Sequence, residues 1–110
     1  MDDEFLHDLF SSVGPITIKR MFGGQGIYAD GMIIAAVQSG RIMVKGDDQC
    51  APAYESAEMI RWAYENPKSG NATLMPYWQV PDSALDDPEE MSRWAHMALG
   101  AARRTKPTKI

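Results

Sequence analysis

Three glycines within four residues, Gly23, Gly24 and Gly26, are the first place where this sequence could do chemistry. Glycine-rich loops cradle phosphate when their amides open onto a helix N-terminus. Here the spacing is GGxG, no Lys-Ser/Thr pair follows, and Ile27 and Tyr28 resume a strand pattern at once. The run therefore reads as a bulge or tight turn between strands. Cys50 falls in the first turn of a short helical pattern, where a thiol can be activated. With no His or second Cys beside it, it reads as a small semi-buried residue. His7 has Asp3 and Glu4 one turn before it but no second His or Cys to complete a metal site, His96 has no acid or Cys at the spacing one needs, and both read as solvated. No acid, base and nucleophile stand at workable spacing, so the chain is expected to be non-enzymatic, with no catalytic, cofactor-binding or metal-binding residues.

What remains is chemistry of contact. Lys19, Arg20, Arg41 and Lys45 flank strand patterns, with Tyr28 between them, and form the expected contact surface. The aromatic set Trp62, Tyr64, Tyr77 and Trp78 could stack on bases as single-strand binders do. Only Arg61 and Lys68 lie close to it, so packing in a core or interface is the preferred reading. The segment RRTKPTKI, residues 103–110, reads as a basic flexible tail.

Composition bounds the rest. The chain has 110 residues, 45% hydrophobic and 24% charged, which suits one folded domain. A net charge of -4 argues against broad nonspecific binding to nucleic acid, which needs concentrated positive charge. A single cysteine permits no internal disulfide, the acidic start MDDEFLHDLF is unlike a signal peptide, and no apolar stretch approaches membrane-spanning length. A cytoplasmic location and no membrane partner are expected.

The elements that must position these residues follow from patterning. Asp2 or Asp3 caps a helix whose stripe is Phe5, Leu6, Leu9, Phe10 and Val13, stopped by Gly14-Pro15. Ile16 to Phe22 reads as a strand with Thr17, Lys19 and Met21 on one face. Gly23, Gly24, Gly26, Asp30 and Gly31 are the expected turn positions, and Asp30-Gly31 predicts a type I′ hairpin joining 26–29 to the apolar arm 32–37, a central strand. Ser39-Gly40 turns the chain into RIMVK. Asp47 or Asp48 caps a second helix, through about Ala57, with Ala53, Tyr54 and Ala57 at helical spacing. Ile60 to Tyr64 and Thr73 to Val80 are strands, the latter at an edge or bulged because Pro76 cannot donate to a ladder. Asp87-Pro88-Glu89-Glu90 opens a helix buried through Met91, Trp94, Ala95, Ala98, Leu99 and Ala102, with Leu85 packed beneath it. The fold class is α+β: an antiparallel curved sheet of about five to six strands with flanking helices, in the order α-β-β-β-β-α-β-β-α. An apolar edge beside Pro76 is where a homodimer could pair.

The string Arg20-Met21-Phe22-Gly23-Gly24-x-Gly26-Ile27-Tyr28-x-Asp30-Gly31 resembles the TfoX N-terminal domain family, as do Val44-Lys45-x-Asp47, Tyr77-Trp78-x-Val80-Pro81, Leu85-Asp86-Asp87 and the alanines that follow Trp94. The likeness covers nearly the whole chain, with a domain spanning 1–102. Glu58 departs from it, standing near where the family has a glycine before the strand that holds Trp62-Ala63-Tyr64. The resemblance implies a bacterial regulatory module without enzymatic activity or cofactor. Proteins of this kind promote natural competence through transcription, with a cyclic-AMP receptor protein as partner. A protein partner is the first expectation, and a nucleic-acid-binding module using the local basic patch is the alternative.

Overall fold

The computed structural model describes residues 1–21 and 23–105. Along the chain come α1 (Asp3–Leu9), a 3-10 turn (Ser11–Val13), β1 (Thr17–Met21), β2 (Gly24–Ala29), β3 (Met32–Gln38), β4 (Arg41–Lys45), α2 (Ala51–Ser56), β5 (Arg61–Glu65), β6 (Ala72–Gln79), α3 (Asp82–Asp86) and α4 (Pro88–Thr105). The six strands form one antiparallel sheet in the order β1-β2-β3-β4-β6-β5. This is the expected α+β order with a short helix, α3, added before the last one, where the expected order has none.

Two-residue turns set the meander. Asp30 and Gly31 have φ of 52° and 76°, the pair of positive values that a type I′ turn requires, and Ala29 pairs with Met32 across it. Ser39 and Gly40 repeat this geometry between Gln38 and Arg41. Gly23 is likewise a turn residue, whereas Gly24 and Gly26 lie within β2 and pair with Met21 and Lys19. Their need for glycine is close approach: a β-carbon on Gly24 would overlap the Val37 carbonyl. The expected continuation of the first strand into Phe22 lies outside the described residues.

Register explains the core. Ile27 pairs with Ala35 but Tyr28 with Ile33, so Ile34 is an extra residue in β3 and both Ile34 and Ala35 turn to the same face. That face also carries Ile27, Val37, Ile42, Val44, Trp78 and Val80, and it packs against Leu6, Phe10, Tyr54 and the apolar side of α4. As expected, Met91, Trp94, Ala95, Ala98, Leu99 and Ala102 are buried on α4, joined by Ala101. Asp87 caps that helix, its carboxylate accepting the amides of Glu89 and Glu90 at 3.0 and 3.3 Å.

Other expectations need correction. β6 is not an edge, because it pairs with β4 on one side and β5 on the other. The alternative reading of Pro76 holds: the β5 pairing jumps from Arg61–Trp78 to Ala63–Leu74, a bulge in β6 around the proline, whose carbonyl accepts the Gly46 amide. The predicted pairing edge beside Pro76 is therefore absent, and among the described strands the edges are β1 and β5. Phe5 flanks the buried Leu6–Phe10 row and is exposed, and Asp2 makes no side-chain cap on α1, which ends at Leu9. Leu85 is exposed too, and Ala84 is the α3 residue that packs inward. Ala53 is exposed on α2, where Tyr54 alone is fully buried. Arg103, Arg104 and Thr105 continue α4, and the rest of the expected tail, 106–110, lies outside the described residues.

Glu58 settles the turn where the family glycine is expected. Its φ is 60°, and the Met59 and Glu58 amides reach back to the Tyr54 and Glu55 carbonyls at 3.0 and 2.9 Å, closing α2 in a Schellman motif. The left-handed geometry is kept by a residue with a β-carbon, which costs about 1 kcal/mol. Glu58→Gly should raise the unfolding free energy by about 0.5–1 kcal/mol, after the entropy that glycine adds to the unfolded chain. A shifted denaturant midpoint with an unchanged slope is the check.

Candidate contact surface

The helix-covered face of the sheet is matched by an opposite face with its own small cluster. There Ala36, Met43 and Tyr77 are buried, with Ile33, Trp62 and Met75 packed partly against them. Strand alternation adds Lys19 and Met21 from β1, Tyr28 from β2 and Arg41 and Lys45 from β4. The Lys19 ammonium sits 4.8 Å from the centre of the Tyr28 ring. Lys45 pairs in register with Tyr77, and partial burial pulls its pKa below the usual lysine value. Burial also pushes the Tyr77 hydroxyl up, and the charge of Tyr28 adds to this although two strands separate β2 from β6.

Charge is segregated by element. Among the described residues the six strands carry Lys19, Arg20, Arg41, Lys45 and Arg61 but a single carboxylate, Glu65. Most acids of this acidic chain lie on helices and in loops instead. The open face, with Lys19, Arg41 and Lys45, is thus cationic and aromatic, and its half-buried lysine, Lys45, ends β4.

The five expected contact residues do not form one patch. Lys19, Tyr28 and Lys45 share the open face. Arg41 stands at its end, in a hollow lined by Met43, Trp62 and Gln79. Arg20 alternates to the other side, where it lines a polar groove of about 460 Å³ with Asp3, Gln25 and Ser39. The glycines Gly23 and Gly24 border that groove but present no helix N-terminus to it. The aromatic set is split as well: Trp78 is in the main core, Tyr77 and Trp62 are on the open face with ring centres 6.2 Å apart, and Tyr64 is exposed. Tyr77 and its neighbours Met43 and Ala36 were not among the expected contact residues, although the period-two alternation from Lys45 and Met43 marks them.

A polar cluster stands apart from this face. Arg104 donates to both oxygens of Asp47, from Nε at 2.6 Å and Nη2 at 3.1 Å, and from Nη2 to Cys50 Sγ at 3.4 Å. Asp47 Oδ1 also accepts the Gln49 and Cys50 amides, each at 3.1 Å. The Arg104 hydrogen bonds hold the Asp47 carboxyl far below the usual carboxylate range. Burial raises the Cys50 thiol, so it is a packed residue held against the Met97 carbonyl rather than an activated nucleophile. Because the folded state depresses the Asp47 pKa, the pair stabilises fully above the unfolded value near pH 4, and that stability is lost as pH falls further. The Arg104 side chain is 37% exposed, which reduces the effect to about 1 kcal/mol. Unfolding measured from pH 6 down to about 2 should show Asp47→Asn losing less stability than wild type by that amount.

His96 is exposed and its Nδ1 lies 2.9 Å from the Ser92 carbonyl, His7 is exposed, and no cluster of three metal-ligating side chains occurs among the described residues.

The model of the TfoX N-terminal domain matches residues 8–102, most of the chain. This chain belongs to the TfoX N-terminal domain family. No curated protein matches it. In this TfoX-type domain the RMFGGxGIYxDG string is the β1–β2–β3 path: it sets two tight turns, places Tyr28 on the open face and lets Gly26 pass beneath Met21, Tyr28 and Ile33. No helix of the described residues is long and apolar enough to cross a membrane.

Proposed function

We infer that this TfoX-type domain is a non-enzymatic interaction module acting in transcriptional regulation, of the kind linked to natural competence, and that its open sheet face meets a protein partner. The observation that carries this reading is Lys45: a half-buried lysine at the end of β4, paired with Tyr77 on an uncovered, aromatic-lined face to which the described strands contribute no carboxylate. A partner carboxylate seated there would recover the desolvation cost through a charge-assisted hydrogen bond. By family, a cyclic-AMP receptor protein is the partner to test. Titrating it into isotope-labelled domain should shift resonances of Lys19, Tyr28, Lys45 and Tyr77 together, and Lys45→Glu should remove the response. Binding that ignores Lys45→Glu, or no binding at any concentration, overturns the reading.

Direct contact with nucleic acid is the second reading, favoured by the cations Lys19, Arg41 and Lys45 on one face. It predicts retention in a gel-shift assay that weakens steeply with salt. Tyr77 is buried, with little ring face left for a base to stack on, which places this reading second.

A further inference from the structure

β5 is an edge strand left open. Ala63, Tyr64 and Glu65, with Ala72, Thr73 and Leu74 opposite them on β6, are all exposed, Tyr64 by 48% and Leu74 by 60%. Two strands exposed on both faces are marginal in water on their own. The other edge, β1, is blunted by adjacent charges of one sign, Lys19 and Arg20, whereas the two charges of β5, Arg61 and Glu65, are of opposite sign.

Its sequence is Arg61-Trp62-Ala63-Tyr64-Glu65. Laid antiparallel on a copy of itself about Ala63, it sets Arg61 against Glu65, Trp62 against Tyr64 and Ala63 against Ala63. The backbone fits this register. The Ile60 carbonyl accepts from Gln79 and the Asn66 amide donates to Asn71, so even-numbered residues of β5 face β6. Arg61, Ala63 and Glu65 therefore point their amides and carbonyls outward, and a two-fold axis at Ala63 makes all three hydrogen-bonded pairs. Trp62 and Tyr64 become the closer, non-hydrogen-bonded pairs on the open face, where aromatic partners gain most. Glu65, the one carboxylate in the described strands, is the residue that meets Arg61. The Arg61 guanidinium lies over the Trp78 ring, 4.5 Å from its centre, and Nε bonds the Met75 carbonyl at 2.8 Å, so it leans over β6 on the face where alternation also places Glu65 and swings outward to meet the Glu65 of a second copy.

We propose that β5 is a self-complementary dimerisation strand, joining two copies of this chain into one continuous sheet by isologous pairing about Ala63. One strand per partner makes a small interface, so the association is weak and concentration-dependent. Sedimentation from roughly 1 to 500 µM should then show reversible passage from monomer to dimer. Ala63→Pro removes an outward amide without touching the β6 ladder, and should stay monomeric while keeping its near-UV spectrum. Arg61→Glu and Glu65→Arg each set like charges opposite one another twice per dimer and should weaken it roughly tenfold. The double variant R61E/E65R restores opposite charges and should return to within about threefold of wild type. If Ala63→Pro fails to fold, the charge reversals alone decide. A monomer throughout the range, self-association that survives Ala63→Pro, or a double variant no better than its parents overturns the proposal.

Discussion

Gly46→Ala will destabilise the domain by about 3 kcal/mol, the upper part of the range for overpacking a core. A β-carbon there would lie 2.5 Å from Tyr54 Cε2 and 2.6 Å from Trp78 Cζ3. Neither ring has room to move. Trp78 is 2% exposed, Tyr54 is fully buried, and their centres are 5.4 Å apart. Tyr54 is further fixed by Trp94 at 5.7 Å and by its hydroxyl, which donates to the Lys45 carbonyl at 2.7 Å. The Gly46 amide itself closes the β4–β6 ladder on the Pro76 carbonyl, so the backbone cannot back away without losing that bond. Chemical denaturation of the variant beside wild type measures the loss, and a change under 1 kcal/mol would mean that the rings yield.

Tyr54→Ala should cost more, about 4 kcal/mol, because it leaves a cavity between two tryptophans and strips the Lys45 carbonyl of its donor. Tyr54→Phe separates the two contributions. It keeps the packing and loses only the hydrogen bond, for about 1 kcal/mol. Burial pushes the Tyr54 hydroxyl far above the usual tyrosine range, so that bond persists through any pH at which the fold is intact. Combining Tyr54→Ala with Gly46→Ala should cost less than the two single losses together, since the first makes space for the second. Full additivity would show that Trp78 alone resists the new methyl.

The local parts of this fold were legible because local chemistry decides them. Asp30-Gly31 and Ser39-Gly40 dictate two tight hairpins, and Asp87-Pro88 with the spacing of Met91, Trp94, Ala98 and Ala102 dictates α4. The place of β6 was not legible. Proline at position 76 suggests an edge, but a bulge lets the strand pair on both sides, and only tertiary pairing reveals which. Phe5 was misplaced because apolar spacing marks a broad side of α1 without telling that the Leu6–Phe10 row turns fully inward, and Leu85 because α3, which turns Ala84 inward instead, is too short to show a stripe. At the contact surface the residue types were right and their grouping was not: Arg20 and Lys19 are neighbours in sequence and therefore on opposite faces of β1. The bulge at Ile34 is invisible to alternation, since MIIAAV is apolar at every step.

The position of α4 in the chain has a consequence for how the protein is made. β3 and β4, whose apolar face α4 covers, are complete by Lys45, while α4 begins at Pro88. At about 5–20 residues per second a ribosome needs several seconds to synthesise the segment between them. The hairpins of the meander close in about 1–10 microseconds. For that interval a nascent sheet exists with its greasy side bare, and a chain released before α4 emerges would present that side to chaperones and to other chains.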